Sequence, residues 1–248
     1  MILLDIEGTT TPLAFVTEVL FPYARTRLHS HLVAHANAPE YASIVAGLRD
    51  EHAAAMRAGE TVPLWTDDPS RHLDAIMNFV EWLMDRDRKS TALKELQGRI
   101  WEDGYRRGEL VGQVFPDVLP ALQRWHQQGV SIGIFSSGSV LAQQLLFRHS
   151  TAGDLTRFIR SYFDTHVGPK ADPASYSRIA DSTGTAAGRF LFLSDAIKEL
   201  DAARAGGMQV RLVVRPGNAP VPAGHDYETI HSLNEVVLGI GTSAGRER

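Results

Sequence analysis

The chain opens on an apolar run, Met1 to Leu4, that stops at Asp5 and Gly8. An unbroken apolar run closed by an acid and a glycine predicts a buried strand emptying into a loop. From about residue 15 to residue 110 the texture changes. Apolar positions recur at helical spacing through Leu20 to Leu32, Tyr41 to Met56, Leu73 to Met84 and Leu93 to Tyr105. Pro39, the Val62-Pro63 segment and the Asp67-Asp68-Pro69 turn separate these stretches. No strand pattern interrupts them, so the segment predicts a helical insert of three to five helices.

Beyond Pro116 apolar strands alternate with helices. A helix over Asp117 to Gln128 leads through Gly129 to a strand over Val130 to Phe135, and another helix follows Gly138. Pro173 to Ser182 predicts a further helix, and Arg189 to Leu193 a strand ending at Ser194-Asp195. Ile197 to Ala205 is a helix closed by Gly206-Gly207, and Val210 to Val214 is the next strand. This alternation predicts an α/β protein: a Rossmann-like parallel sheet with helical crossovers. The catalytic core is then 1–14 with 111–240, the helical cap is 15–110, and 241–248 is a frayed, Gly/Ser/Arg-rich tail.

Such a sheet gathers its ligand-binding groups beyond the carboxyl ends of the strands. The polar residues that directly follow the apolar runs are Asp5 and Glu7, Ser136 and Ser137, and Ser194 and Asp195, with Lys170 in the Gly168-Pro169-Lys170 loop. Together they meet the demands of phosphoryl transfer. An anion must approach an anion there, and a carboxylate about 4 Å from a phosphate charge costs on the order of 4 kcal/mol at an effective dielectric of 20. Asp5 supplies a nucleophile that needs no activating base. Asp5, Asp195 and a group at Glu7 form an oxygen-rich set suited to one Mg²⁺, and Lys170 adds a second positive charge. Ser136, Ser137 and nearby backbone N–H groups bind the remaining phosphate oxygens. Glu7 is the general acid, then the general base. Glu199, one helical turn after Asp195, holds Lys170 in place.

Composition narrows the setting. The 248 residues are 44% apolar, enough for a real core, and carry 25 basic against 29 acidic residues for a net charge of −4. With no basic block, nucleic acid is not an expected partner. No apolar run reaches the roughly 18 residues of a membrane span, and the N-terminus reads as no signal peptide. Cysteine is absent, which excludes disulfides, thiolate metal sites and a cysteine nucleophile. A cytoplasmic protein is expected.

The order Asp5-Ile6-Glu7-Gly8-Thr9, Ser136, Lys170 and Ser194-Asp195 with Glu199 resembles the haloacid-dehalogenase-like hydrolases. Within them, Leu3 to Pro12 is similar to the opening of the enolase-phosphatase (acireductone synthase) family of methionine salvage. So are Gln97 to Glu102 with Gly108 to Leu110, and Phe135 to Ser139. That resemblance runs to about residue 235. It implies a soluble monomer with one Mg²⁺ and a helical cap after the first strand. It also implies enolisation and dephosphorylation of a 2,3-diketo-5-methylthiopentyl 1-phosphate to an acireductone. Most phosphatases of the wider superfamily carry Asp where this chain has Glu7; the narrower family carries Glu. The enolisation base stays open between Glu7 and a cap residue such as Glu102.

Each signal has a plainer reading. Either serine alone is better read as a helix cap, Asp195 as another, Lys170 as a solvated loop lysine, and an Asp-x-Glu pair as chance. Their joint order carries the argument. His31 and His35 lie four apart on a helix but lack the glutamate of a zinc-protease motif, and read as surface or half-buried histidines. The Gly239 to Ala244 stretch imitates a dinucleotide fingerprint with no element after it. Trp82, Trp101 and Trp125 read as core, and Arg106-Arg107 as a solvated face. The competing functions are a sugar phosphate or phosphoglycolate phosphatase with the same catalytic residues, a dehalogenase, which needs neither Mg²⁺ nor Asp195, and a phospho-accepting signalling receiver module, which is about half as long and has no cap.

Overall fold

The computed structural model describes residues 1–237 apart from 37 and 89. Residues 238–240 of the expected core, the expected tail at 241–248 and the Gly239 to Ala244 stretch lie outside the described residues. Among the described residues the sheet has six strands: β1 (Ile2–Leu4), β2 (Ile132–Phe135), β3 (Ser161–Phe163), β4 (Leu191–Ser194), β5 (Gln209–Val213) and β6 (Thr229–Ile230). Their order is β3-β2-β1-β4-β5-β6, with every neighbouring pair parallel. The chain therefore builds outward from β1 on one side through β2 and β3. It then returns to β1's other side for β4, which puts the change of direction beside β1.

That central position explains why β1 is wholly apolar. Both faces are covered, and all three of its residues are buried. Ile2 and Leu4 join the larger apolar cluster with Trp125, whereas Leu3 joins a second cluster with Tyr176 and Leu200. Alternate side chains thus anchor opposite faces of the sheet. Helix α5 (Val118–Gln127) covers one face, while α7 (Pro173–Thr183) and α8 (Ile197–Ala205) cover the other. Asp172 caps α7 by accepting from the Ala174 N–H at 3.0 Å, with Pro173 pre-set at the first helical position.

Between β1 and α5 lie α1 (Phe21–His35), preceded by a π-helical turn over Phe15–Leu20, then α2 (Ala42–Arg57), α3 (His72–Asp85) and α4 (Thr91–Arg106). Each matches an expected helical stretch to within a few residues. Their apolar faces (Leu28, Leu48, Phe79 and Leu96 among them) are continuous with the core cluster. Trp82 and Trp101 are buried, and the Trp101 indole N–H donates to the Leu20 carbonyl at 2.8 Å. On the return side the linker is pinned. The Gly112 N–H donates to His149, its carbonyl accepts from Thr151, and a Cβ here would meet the Leu146 carbonyl oxygen at 2.3 Å. Any swing of the helical segment must therefore bend before Gly112.

Candidate active site

Asp5 follows β1 directly, and its N–H continues the ladder by donating to the Leu193 carbonyl at 3.0 Å. Strand register places it between β2 and β4, with its side chain 6% exposed. Lys170, from the loop before α7, comes over the same strand ends. Its Nζ lies 2.5 Å from Asp5 Oδ1 and 2.6 Å from Glu199 Oε2. The Ser194 hydroxyl closes the ring, 3.4 Å from Asp5 Oδ2 and 2.9 Å from Glu199 Oε2. The Tyr176 hydroxyl donates to the Lys170 carbonyl at 2.7 Å and fixes the backbone that aims the lysine. The solvated-loop reading of Lys170 fails, because its side chain is 7% exposed. Burial opposes its charge, but Asp5 and Glu199 outweigh that and hold the ammonium's pKa above its ordinary value. Glu199 holds the lysine as the sequence leads one to expect.

The loop after Asp5 is a tight turn. The N–H groups of Thr9, Thr10 and Thr11 converge on the Ile6 carbonyl, and Gly8 bonds to the Thr11 carbonyl at 2.8 Å. Gly8 adopts φ +68, and a Cβ there would lie 2.3 Å from Asp195 Oδ2. Only glycine meets both demands. Asp195 is thereby pressed against the turn that follows Asp5. Burial first, and then the Asp5 charge, pushes its carboxyl up to about 6. Burial and the same Asp5 charge push Glu199 up to about 7. Asp195 does not cap the next helix; Ala196 occupies that position.

Two residues outside the expected set also hold this turn. Asn218 Nδ2 donates to the Gly8 carbonyl at 2.9 Å, and Arg215 Nε to the Thr9 carbonyl at 3.0 Å. Buried Arg215 is itself pinned by Asp117 at 2.8 Å. Arg215 directly follows the Val210 to Val214 run, so the strand-end rule that selects Ser136 also selects it.

Ser136 is buried at the end of β2, and its hydroxyl accepts from the Gly138 N–H at 3.1 Å. It does not cap α6 (Val140–Arg148); Ser139 does, accepting from Ala142 at 3.3 Å. Ser137 is exposed, and its carbonyl accepts from Lys94 Nζ at 3.0 Å. Lys94 belongs to α4, whose Gly98 also faces Ser139 and Leu141. The helical segment thus reaches the loop beside Asp5. An open cleft of about 400 Å³ lies elsewhere, lined by residues from Glu51 to Thr91, and none of the strand-end residues borders it.

Glu7 is half-buried and close enough to act electrostatically on Asp195. The Asp5, Glu7 and Asp195 carboxylates do not form a trio with oxygens within 4.8 Å of one another. Among the described residues, the histidine/acid group that does is His31, His35 and Asp103. Glu102 lies between Arg99 at 3.4 Å and Arg106 at 3.9 Å. The strand ends therefore bring Asp5 and Asp195 beside Lys170 and the helical Glu199, with Glu7 in electrostatic range of Asp195. This surplus of carboxylate oxygen, with Asp195 seated where Gly8 leaves room, has the chemistry of a site for a hard divalent cation.

A buried acid after the first strand, a lysine from the β3–α7 loop and an acid after β4 define a hydrolase class. The model of the haloacid dehalogenase-like hydrolases matches residues 1–207, and the chain belongs to that family. Within it the chain belongs with the enolase-phosphatases. It is 52% identical over 235 residues to enolase-phosphatase E1 of Synechococcus elongatus, covering 95% of this chain and 96% of that one. It is 43% identical over 240 residues to a Vitis vinifera protein named probable bifunctional methylthioribulose-1-phosphate dehydratase/enolase-phosphatase E1 1, covering 95% of this chain and 46% of that one. Among solved structures, the UTR4 protein of Saccharomyces cerevisiae superposes with a TM-score of 0.76 at 32% identity, covering 95% of this chain and 99% of that one. No helix among the described residues is long and apolar enough to cross a membrane.

Proposed function

We propose that the chain is a Mg²⁺-dependent enolase-phosphatase that converts 2,3-diketo-5-methylthiopentyl 1-phosphate to the acireductone and inorganic phosphate. The observation that carries the reading is the buried Asp5–Lys170 pair at the end of β1, with half-buried Glu199 of α8 against the lysine, on a chain 52% identical to an enolase-phosphatase E1. In this reading Asp5 Oδ attacks phosphorus, the phosphorus–oxygen bond to the substrate breaks, and Glu7 gives its proton to the leaving oxygen. Glu7 then takes a proton from water as that water attacks phosphorus, which returns Asp5 as a free carboxylate. Lys170 offsets the negative charge of Asp5 and of a phosphate oxygen. The Ser136 hydroxyl and the Ser137 N–H receive the other oxygens. Bound Mg²⁺, held by Asp5, Asp195 and the main-chain oxygen at position 7, would screen nucleophile from phosphate and polarise the substrate carbonyl for enolisation. Taking the ligand at position 7 from the backbone leaves the Glu7 side chain for proton transfer.

Residues 15–110 act as a cap over this site, with the Lys94–Ser137 contact as one polar tie to the core. Closure would exclude water during transfer. We place the chain in the cytoplasm as a monomer with no nucleic-acid or membrane partner, as its composition and its resemblance to the family imply. The test is to incubate protein, diketo phosphate and Mg²⁺ while following phosphate release and enediol absorbance together. Both signals, each dependent on Mg²⁺, are expected. Phosphate without the enediol product would make this a phosphatase of the wider family acting on sugar phosphates or phosphoglycolate.

A further inference from the structure

His31 and His35 stand one turn apart on α1, with ring centroids 4.7 Å from each other. Asp103, near the end of α4, points a single oxygen at both. Its Oδ2 is 3.1 Å from His31 Nδ1 and 3.8 Å from His35 Nε2. One ligand atom from each residue lies within 4.8 Å of the others. A hydrogen bond accounts for the first distance and not the second, which exceeds the usual limit of about 3.2 Å. Ligands held about 2.0–2.1 Å from a tetrahedral cation lie roughly 3.4 Å apart, between the two observed separations. The outer contacts also suit a metal centre. The Tyr41 hydroxyl lies 2.6 Å from His31 Nε2, so Nδ1 is the nitrogen turned toward Asp103. The Tyr41 ring stacks on His35 at 5.6 Å and 14°. Such partners orient ligating imidazoles in known sites.

We propose that His31, His35 and Asp103 form a second metal site, taking Zn²⁺ or a chemically similar transition-metal cation, that clips α1 to α4. Two imidazoles and one carboxylate select Zn²⁺, Co²⁺ or Ni²⁺ over Mg²⁺, whereas the strand-end carboxylates favour Mg²⁺. The two sites share no residue. Arg106 contacts Asp103 through the other oxygen, Oδ1, at 3.3 Å, and Arg107 lies within electrostatic range of His31. Their charges lower the affinity but leave the ligating atoms clear. Solvent completes the coordination on the side where His35 is 37% exposed.

The test uses chelator-treated protein carrying Asp195→Asn, which disables the strand-end set, in excess Mg²⁺. Zn²⁺ binding is measured by equilibrium dialysis, and Co²⁺ binding by the visible absorption of tetrahedral cobalt. One equivalent of Zn²⁺ is expected, with intense cobalt bands and a higher melting temperature. His35→Ala, at a half-exposed position, should weaken Zn²⁺ binding at least tenfold and abolish the cobalt bands, with an unchanged circular dichroism spectrum. Asp103→Asn should weaken binding as well. Equal Zn²⁺ affinity in His35→Ala, or no uptake at micromolar Zn²⁺, would overturn the proposal and leave a hydrogen-bonded tie between His31, Asp103 and Tyr41.

Discussion

Replacing Lys170 by Met is a sharp perturbation of the site, because it removes the positive charge at its centre and keeps the volume. The Nζ contacts to Asp5 and Glu199, at 2.5 and 2.6 Å, are each worth roughly 6 kcal/mol at an effective dielectric of 20. Desolvating a buried ammonium returns several kcal/mol of that, so truncating one partner of a buried cluster costs a net of about 3–5 kcal/mol. The loss should depend on pH. Glu199 in the folded protein titrates at about 7, above its ordinary 4.5, so the folded state holds this proton to higher pH than the unfolded chain. Stability from that proton is present at low pH and fades as pH rises through 7. Lys170 is one of the groups that hold Glu199 down, so without it the carboxyl titrates higher still. Urea unfolding followed by tryptophan fluorescence, in chelator, should show Lys170→Met losing the full amount at alkaline pH, above the variant's own Glu199 pKa. The deficit should shrink as pH falls from there to about 7, where the variant holds the Glu199 proton and the wild type does not, and level off below 7, where both hold it. A deficit under about 1 kcal/mol, or one flat across that range, would refute the reasoning that Lys170 neutralises a buried acidic cluster.

Four further outcomes are expected. Gly8→Ala forces a Cβ onto the Asp195 carboxylate at a positive φ; it should cost about 1–2 kcal/mol of stability. Its Mg²⁺ affinity, read by titrating activity, should fall more than tenfold. Lys94→Ala removes the tie to the Ser137 carbonyl; a hydrogen bond's net worth of about 0.5–1.5 kcal/mol implies a several-fold rise in KM with little change in melting temperature. Asp117→Asn unpairs Arg215 and should cost about 3 kcal/mol at pH 7. Burial pushes the Asp117 carboxyl up, but hydrogen bonds from Arg215, Ser232 and Leu233 outweigh that and leave its pKa below the ordinary 3.8. Its stabilisation is therefore present above pH 3.8 and lost as pH falls through the folded value, so the wild-type and variant unfolding curves should converge in acid. Glu7→Gln should slow phosphate release while leaving folding intact, and should accumulate phosphorylated enzyme.

The helices and inner strands were legible because their signal is repeated. Ten to sixteen residues of helical spacing identify α2 to α5, and the apolar runs of β1, β2 and β4 mark strands buried on both faces. The edge strands carried no such signal. β3 is three half-buried residues that include Ser161, and β6 is only Thr229–Ile230, too short for any period to show. Asp5, Ser136 and Asp195 were legible as candidates because the strand-end rule converts topology into a short set, and Lys170 because its loop lies between two members of that set. Asn218 and Lys94 were not, since each acts by donating to a backbone carbonyl, and a carbonyl leaves no mark in a sequence. His31 likewise became meaningful only when α1 and α4 brought Asp103 beside it; the sequence leads one to expect a surface or half-buried ring, and this one is buried. The reading of Arg106 as solvated matches its 69% side-chain exposure.

The central claim is that Asp5 carries the phosphoryl group. It is tested most directly by mixing Glu7→Gln protein with the diketo phosphate and Mg²⁺ under single-turnover conditions, quenching in acid, and mapping the adduct by peptide mass analysis. The account expects a phosphoryl group on the N-terminal peptide at Asp5, and none in the Glu7→Gln/Asp5→Asn double variant. Phosphate release at the wild-type rate from Asp5→Asn protein, or turnover with an adduct at another residue, would contradict it.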